Sequence, residues 1–401
     1  IRDEAMQLRN EKHQMIKTGL NAKMENSHDL AVVYTPGVAA PCLAIKEEED
    51  KSLELTWRGN VVAVISDGTR VLGLGDIGPA AAMPVMEGKS ALYKRFGNID
   101  AIPIVLNTKD KDEIVRTIRI LEKSFAGINL EDFSSPKCYD IEDELKATMN
   151  IPVFHDDQHG TAIAALAAVL GALRLIKKGI GKAKVVTFGA GAAGTAIARL
   201  LLEDGVKPEN MTVLNSKGIL YDDGRLNRVQ KELAKQVNPE NRQGTFADAV
   251  KGADILLATS APAAFKEMHK EAIKTMAEKN VVFAMANPIP EMMLSDAQEL
   301  GVYVFGTGRS DMPNQVNNSS VFPGLFRGAL DVRARQINEP MKLAAAHALA
   351  DLVSDEELKP EYVVVDVFDP RVPHAVAKAS AKAAIESGVA RVTELPEQYK
   401  D

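Results

Sequence analysis

Two acidic pairs stand where carboxylates can do chemistry: Glu131-Asp132 directly after the largely apolar 128–130, and Asp156-Asp157 one residue after 151–154. One such pair is ordinarily surface charge. A second, framed by apolar residues within His155-Asp156-Asp157-Gln158-His159-Gly160-Thr161, changes that reading. Hard oxygen ligands of this kind suit Mg²⁺ or Mn²⁺ rather than zinc. His155 and His159 are spaced i, i+4 and would bind zinc on a helix. A strand on one side and Gly160 on the other argue against a helix there, so the histidines are read as orienting the carboxylates.

Three further segments supply an acid, a base and an anion clamp. Tyr34 sits in the turn Tyr34-Thr-Pro-Gly-Val-Ala39, Lys89 follows Glu87-Gly88 at the start of a helical run over 90–96, and Arg70 lies in the glycine-rich stretch 66–78. Taken alone, each reads as a packed ring, a surface lysine or a loop. Gly189-Ala190-Gly191-Ala192-Ala193-Gly194 follows a strand at 185–188 and opens a helix over 192–202. The first glycine permits a tight turn, the second lets a pyrophosphate approach the backbone, and the third lets helix and strand pack closely. Free N–H groups at the helix start then face the phosphates. The ribose-binding acid that usually ends the second strand is missing, and Asn215-Ser216-Lys217 stands there. Asn215 can bond a hydroxyl, and Ser216 and Lys217 can hold a phosphate, so NAD and NADP both remain open.

Elements must bring these residues together. Short apolar runs at 61–66, 102–106 and 151–154 alternate with helical patterns, predicting a first α/β unit over 1–155. A long helix over 162–178 leads to strands at 185–188, 211–214, 254–258, 281–286 and 302–305, the rhythm of a Rossmann-type doubly wound parallel sheet. The Ala-rich tail, 339–388, reads as helical, broken over 360–373, and completes a second unit spanning 156–401. The active site is expected in the crevice between the units.

The 401 residues are 46% hydrophobic and 26% charged, ordinary for a globular chain. With 5% aromatics there is little from which to build a base-stacking surface, and the net charge of −7 argues against nucleic-acid binding while leaving room for a local basic patch. Two distant cysteines, Cys42 and Cys138, fit a reducing cytoplasm without disulfides or structural zinc. No uninterrupted apolar run reaches the roughly 18–20 residues of a membrane span. The stretch 162–176, broken by Gly171 and Arg174, reads as a buried helix. The charged start lacks an export signal's apolar region.

The segments YTPGVA, SDGTRVLGLGDIG, MEGK, NLEDF, FHDDQHGTA, GAGAAG, ANP and NQVNNSSVFPGLFRGALD occur in the order found in malic enzymes. Over residues 34–374 the chain resembles that family, and most closely its short bacterial and archaeal type, without a C-terminal acyltransferase extension. The resemblance implies a homodimer that oxidises L-malate with NAD or NADP and decarboxylates the product to pyruvate, using Mg²⁺ or Mn²⁺. Lys89 resembles the general base, Asp156 its assistant, and Tyr34 the acid that protonates C3. Glu131, Asp132 and Asp157 look like the metal ligands and Arg70 like the carboxylate clamp. Asn287 and Asn318 look like hydrogen-bonders on the malate and nicotinamide sides. Ser319-Ser320 departs from a more apolar pair in the family pattern. A lysine base requires a pKa lowered from about 10.4, by burial or neighbouring charge. Three alternatives stand beside this reading. A malolactic enzyme would release lactate. A nucleotide-sensing regulator would need neither Lys89 nor the acids, and an amino-acid dehydrogenase would leave the acids idle.

Overall fold

The computed structural model describes residues 1–12 and 14–400. Helices α1 (Arg2–Lys12), α2 (Ser27–Val33), α3 (Ala39–Glu47) and α4 (Ser52–Leu55) come first. A first sheet follows: β1 (Val61–Ser66), α5 (Pro79–Gly97), β2 (Asp100–Val105), α6 (Lys111–Ile120), β3 (Gly127–Leu130), α7 (Lys137–Thr148) and β4 (Val153–His155). Helix α8 (Asp156–Ile176) crosses to β5 (Val185–Phe188), α9 (Ala192–Glu203), β6 (Met211–Asn215), β7 (Gly218–Ile219) and α10 (Arg228–Val237). The second sheet continues through α11 (Phe246–Val250), β8 (Ile255–Ala258), α12 (Glu267–Ile273), β9 (Val281–Ala284), α13 (Leu294–Glu299) and β10 (Val304–Thr307). Helices α14 (Phe322–Asp331), α15 (Glu339–Ala350) and α16 (Arg371–Glu386) close the chain.

The first sheet has the order β2-β1-β3-β4 and is parallel throughout. Its centre, β1, is Val-Val-Ala-Val-Ile-Ser and buried at every position, as a strand covered on both faces must be. The chain adds β2 on one side of β1 and β3 on the other, so its winding reverses between β1 and β3. The second sheet, β10-β9-β8-β5-β6-β7, is parallel except for the β6–β7 pair and reverses between β5 and β8. Ligands of open α/β sheets bind beyond the carboxyl ends of the strands at such a reversal. Both reversals carry residues singled out above.

Helix α8 joins the two sheets into one core, which runs from Val62 and Val64 of β1 to Val185 of β5 and Ile255 of β8. With 21 residues and a mean hydropathy of 1.7 it is long and apolar enough to cross a membrane, but 67% of that window is buried inside the protein. It is a core helix. The C-terminal helices do more than extend the second sheet. Phe326 of α14 packs edge-on against Tyr93 at 5.4 Å and Phe154 at 5.8 Å, covering the first sheet as well.

Two expectations are corrected. Helix α5 starts at Pro79, not at Lys89, because Pro79 occupies a first-turn position where no N–H is needed, and the helix continues through Pro84 and Gly88. Helix α8 starts at Asp156, so His159 and Gly160 are helical after all. Glycine at 160 is the residue that fits, since an added Cβ would lie 1.9 Å from Asp156 Oδ1. His155 remains on β4, so the two histidines do not share a helix face.

Candidate functional site

Alternation along β3 sets the acidic cluster. Ile128 and Leu130 enter the core beneath α6 and α7, which turns Asn129 to the opposite face, and Glu131 follows on Asn129's side. Asp132 comes next at φ 59°. Its N–H donates to Asp157 Oδ2 at 2.8 Å, tying the end of β3 to the first turn of α8. Oxygens of Glu131, Asp132 and Asp157 all lie within 4.8 Å of one another. Burial and repulsion from Asp157 and Glu131 push Asp132 up to about 9. Loss of hydration pushes Asp157 up to about 6 and raises Glu131 too. Asp132 Oδ2 is buried with no hydrogen-bond partner. Two buried carboxylates crowded against a half-buried third, with one oxygen orphaned, fit a divalent cation held by hard ligands.

Lys89 is 7% exposed and completes the cluster. Its Nζ lies 2.9 Å from Glu131 Oε1 and 2.5 Å from Asp156 Oδ2, and 4.4 Å above the Phe322 ring. Burial works to lower its pKa, but the charges of Asp156 and Glu131 outweigh that and raise it. The charges of Asp156 and Glu131 thus act against the lowered pKa that a lysine base requires. Asp156, fully buried, is pushed up to about 6 by burial in spite of Lys89.

Arg70 leaves the loop after β1, its N–H donating to Asp132 O at 3.0 Å. Its exposed guanidinium forms no ion pair among the described residues, and its charge offsets a small part of the upward shift of Asp157. Asn318 lies beside Asp156, because a Cβ on Gly160 would meet Asn318 Cβ at 3.0 Å. Asn287 follows β9, and its amide sits against Gly308 beyond β10. A Cβ on Gly73 would lie 3.1 Å from Asn287 O, so the loop after β1 touches the turn after β9 across the crevice. Tyr34 stands apart. It is 65% exposed at the end of α2, and no contact among the described residues joins it to Lys89 or the acids.

The glycine-rich turn bridges β5 and α9. Gly189 has φ 124°, and a Cβ there would strike Thr259 O at 2.7 Å. A Cβ on Gly194 would lie 1.8 Å from Gly189 O, whereas Gly191 faces open space. Ala192 and Ala193 form the first turn of α9, whose N-cap offers no side-chain acceptor to the free N–H groups. Ala190 is held by Gln230 Nε2, 2.7 Å from its carbonyl. Asn215 Oδ1 accepts from Lys217 N at 2.8 Å within the turn. Lys217 Nζ lies 3.5 Å from Asp223, and Ser216 is exposed.

Sequence reasoning missed several supports. Glu142 accepts from His155 N at 3.2 Å, Gln158 Nε2 at 3.1 Å and His159 Nε2 at 3.0 Å, and so anchors the turn that carries Asp156 and Asp157. His159 thus serves Glu142 rather than the acidic cluster, while His155 Nε2 lies 3.6 Å from Asp157 Oδ2. Glu291 accepts from Ser260 N at 2.6 Å and Ala286 N at 3.0 Å, joining the turns after β8 and β9. Thr259 Oγ1 is buried without a partner beside the glycine turn. Ser320, in the Ser-Ser departure, caps Asn317 O at 2.9 Å.

Residues 10–146 match the model of the malic enzyme N-terminal domain, and residues 158–386 match that of the malic enzyme NAD-binding domain. The chain belongs to the malic enzyme family. It is 50% identical to the bifunctional malic/malolactic enzyme of Bacillus subtilis, over 100% of this chain and 97% of that one. It is 49% identical to the NAD-dependent malic enzyme of Geobacillus stearothermophilus, over 95% of this chain and 79% of the relative. The crystal structure of malic enzyme from Pyrococcus horikoshii superposes with a TM-score of 0.91 at 42% identity, covering 98% of this chain and 92% of that one. In this malic enzyme chain, Lys89, Asp156, Glu131, Asp132, Asp157, Arg70 and Asn318 converge at the carboxyl edge of the first sheet. The dinucleotide turn and Asn287 lie on the second.

Proposed function

We propose that this chain oxidises L-malate at C2 with NAD or NADP and decarboxylates the product to pyruvate and CO₂. The observation that carries this is the buried Lys89–Asp156 pair set against the cluster of Glu131, Asp132 and Asp157, in a chain of the malic enzyme family. We keep the division at a catalytic half, 1–155, and a dinucleotide-binding half, 156–401.

Glu131, Asp132 and Asp157 would hold Mg²⁺ or Mn²⁺, and the glycine turn the pyrophosphate. Bound, the cation supplies positive charge to an enolate and the nicotinamide accepts a hydride. Arg70 clamps a malate carboxylate, and Asn318 and Asn287 orient the carbon to be oxidised. A cation on Glu131 would offset one of the charges that hold the Lys89 proton, and Asp156, 2.5 Å away, takes that proton. The neutral Nζ then removes the C2 hydroxyl proton. Tyr34 returns a proton to C3.

Tyr34 belongs to an arm that needs a partner. Helices α1 to α3 bury no residue, and Met6 and Leu43 are each 61% exposed. A homodimer covers this arm and brings Tyr34 to a site. The free thiols of Cys42 and Cys138 suit a reducing cytoplasm.

The test incubates the protein with malate and Mn²⁺, with each cofactor in turn. Pyruvate and reduced nucleotide should form in equal amounts. No turnover of malate with either cofactor would reject the proposal. The Bacillus subtilis relative is named a malic/malolactic enzyme, so release of lactate without net nucleotide reduction is the second reading. Product analysis separates the two.

A further inference from the structure

Behind Glu131 runs a chain of polar groups that the reaction itself does not use. Asn129 is fully buried in the middle of β3, where an apolar residue would ordinarily stand. Tyr93, also fully buried, lies one helical turn beyond Lys89 on α5, so the two side chains share a face. Tyr93 Oη donates to Asn129 Oδ1 at 2.8 Å. Asn129 Nδ2 donates to Glu131 Oε2 at 2.9 Å and to Leu130 O at 3.3 Å. Glu131 Oε1 accepts from Lys89 Nζ at 2.9 Å.

This arrangement allows one orientation of the Asn129 amide. Turned over, Oδ1 would face the oxygens of Glu131 and Leu130, and Nδ2 would face the Tyr93 hydroxyl. The Tyr93 ring is fixed in turn, packed at 4.6 Å against Phe322 and 5.4 Å against Phe326. Asn129 therefore pins one Glu131 oxygen with a neutral donor, which sets the plane of the carboxylate without adding a positive charge that would compete with a cation.

We propose that Asn129, oriented by Tyr93, is a positioning residue that presets Glu131 as a ligand for the divalent cation. The proposal rests on the reading of Glu131 as a ligand. Partners that orient a ligand in this way typically contribute ~10–100-fold to metal affinity. Their removal lets the carboxylate rotate, and the cation must then restore its orientation on binding.

Mn²⁺ binding to the metal-stripped protein, followed through the free-ion paramagnetic resonance signal, tests this without reference to turnover. Thermal melting, recorded alongside, shows that each variant is folded. Asn129→Ala should weaken Mn²⁺ binding about 10–100-fold. Tyr93→Phe keeps the ring packing and removes only the hydroxyl, and should weaken binding in the same direction by less. Adding Tyr93→Phe to Asn129→Ala should cost nothing further, since Tyr93 acts through Asn129. Wild-type affinity in Tyr93→Phe and in any folded Asn129→Ala protein overturns the proposal, and full additivity overturns the part given to Tyr93. If Asn129→Ala does not fold, Tyr93→Phe alone decides. Glu131→Gln is the control. Unchanged affinity there rejects Glu131 as a ligand, and the proposal with it. Weakened binding there with wild-type binding in Asn129→Ala rejects the positioning role only.

Discussion

The charges of Asp156 and Glu131 favour the protonated form of Lys89, and the base role proposed for it is separable from the acid role proposed for Tyr34. Lys89→Ala should slow hydride transfer by about 10²–10⁴, as loss of a general base does, and leave some Mn²⁺-dependent decarboxylation of supplied oxaloacetate. Tyr34→Phe should instead slow conversion of enolpyruvate to pyruvate. Identical failure of the two variants on both partial reactions would argue for one coupled unit. Asp132 gives a stability test. In the folded chain it holds its proton up to about pH 9, while the unfolded chain releases it near the usual carboxylate value of about 3.9. The unfolded state therefore binds fewer protons between those values, and Asp132 costs the metal-free protein stability as pH rises through that window. Asp132→Asn should raise the metal-free melting temperature at pH 7, by roughly 0.5–2 kcal/mol of stability, and weaken Mn²⁺ binding. An unchanged or lower melting temperature would contradict the crowding described. The acids were legible as types placed after strands, and Lys89 as a lysine on a helix, though not that ten residues of α5 precede it. The direction of Lys89's shift was not, because it depends on Asp156 and Glu131 meeting it in space. Asn129 and Tyr93 gave no signal, since a lone amide in a strand and a tyrosine on a helix look structural.

Secondary structure was legible wherever burial makes a continuous apolar run. Strands at 61–66 and 185–188 were read with their observed limits, because the first is buried at every position and the second at all but Phe188. Boundaries failed where tertiary contacts override local signals. At α8, Glu142 receives the N–H of His155 and Asp156 fills the space beside Gly160, so a sequence that looks like a loop begins a helix. At α5, two prolines and a glycine hid the first turns. The two-residue strand β7 is too short to leave a pattern. The glycine turn was legible because its spacing is itself the steric requirement. Gly194→Ala places a methyl 1.8 Å from Gly189 O and must push α9 from β5, at a cost of about 1–3 kcal/mol. Fluorescence titration with the reduced nucleotide should show binding weakened at least tenfold, with Mn²⁺ affinity unchanged. Equal loss of both ligands would mean that the two sheets do not hold their ligands independently.

At the scale of the whole molecule, the two sheets share a core through α8, and the loop after β1 meets the turn after β9, where a Cβ on Gly73 would lie 3.1 Å from Asn287 O. The sequence indicated two units and a helical tail, but not that α14 would return to pack on Tyr93 and Phe154, because long-range packing leaves no periodic trace. The exposed arm of α1 to α3 makes assembly testable. Sedimentation equilibrium should give a dimer, and Leu43→Asp, at a position 61% exposed in the single chain, should shift it toward monomer with loss of turnover. An active monomer would remove the arm from the site. The most direct measurement returns Mn²⁺ to the metal-stripped protein and follows ion binding and malate-dependent nucleotide reduction together. Activity should rise in step with occupancy of one site per chain, and in Asp157→Asn both curves should move to higher Mn²⁺ together. Full turnover in excess chelator, with no metal found by elemental analysis, would contradict the account.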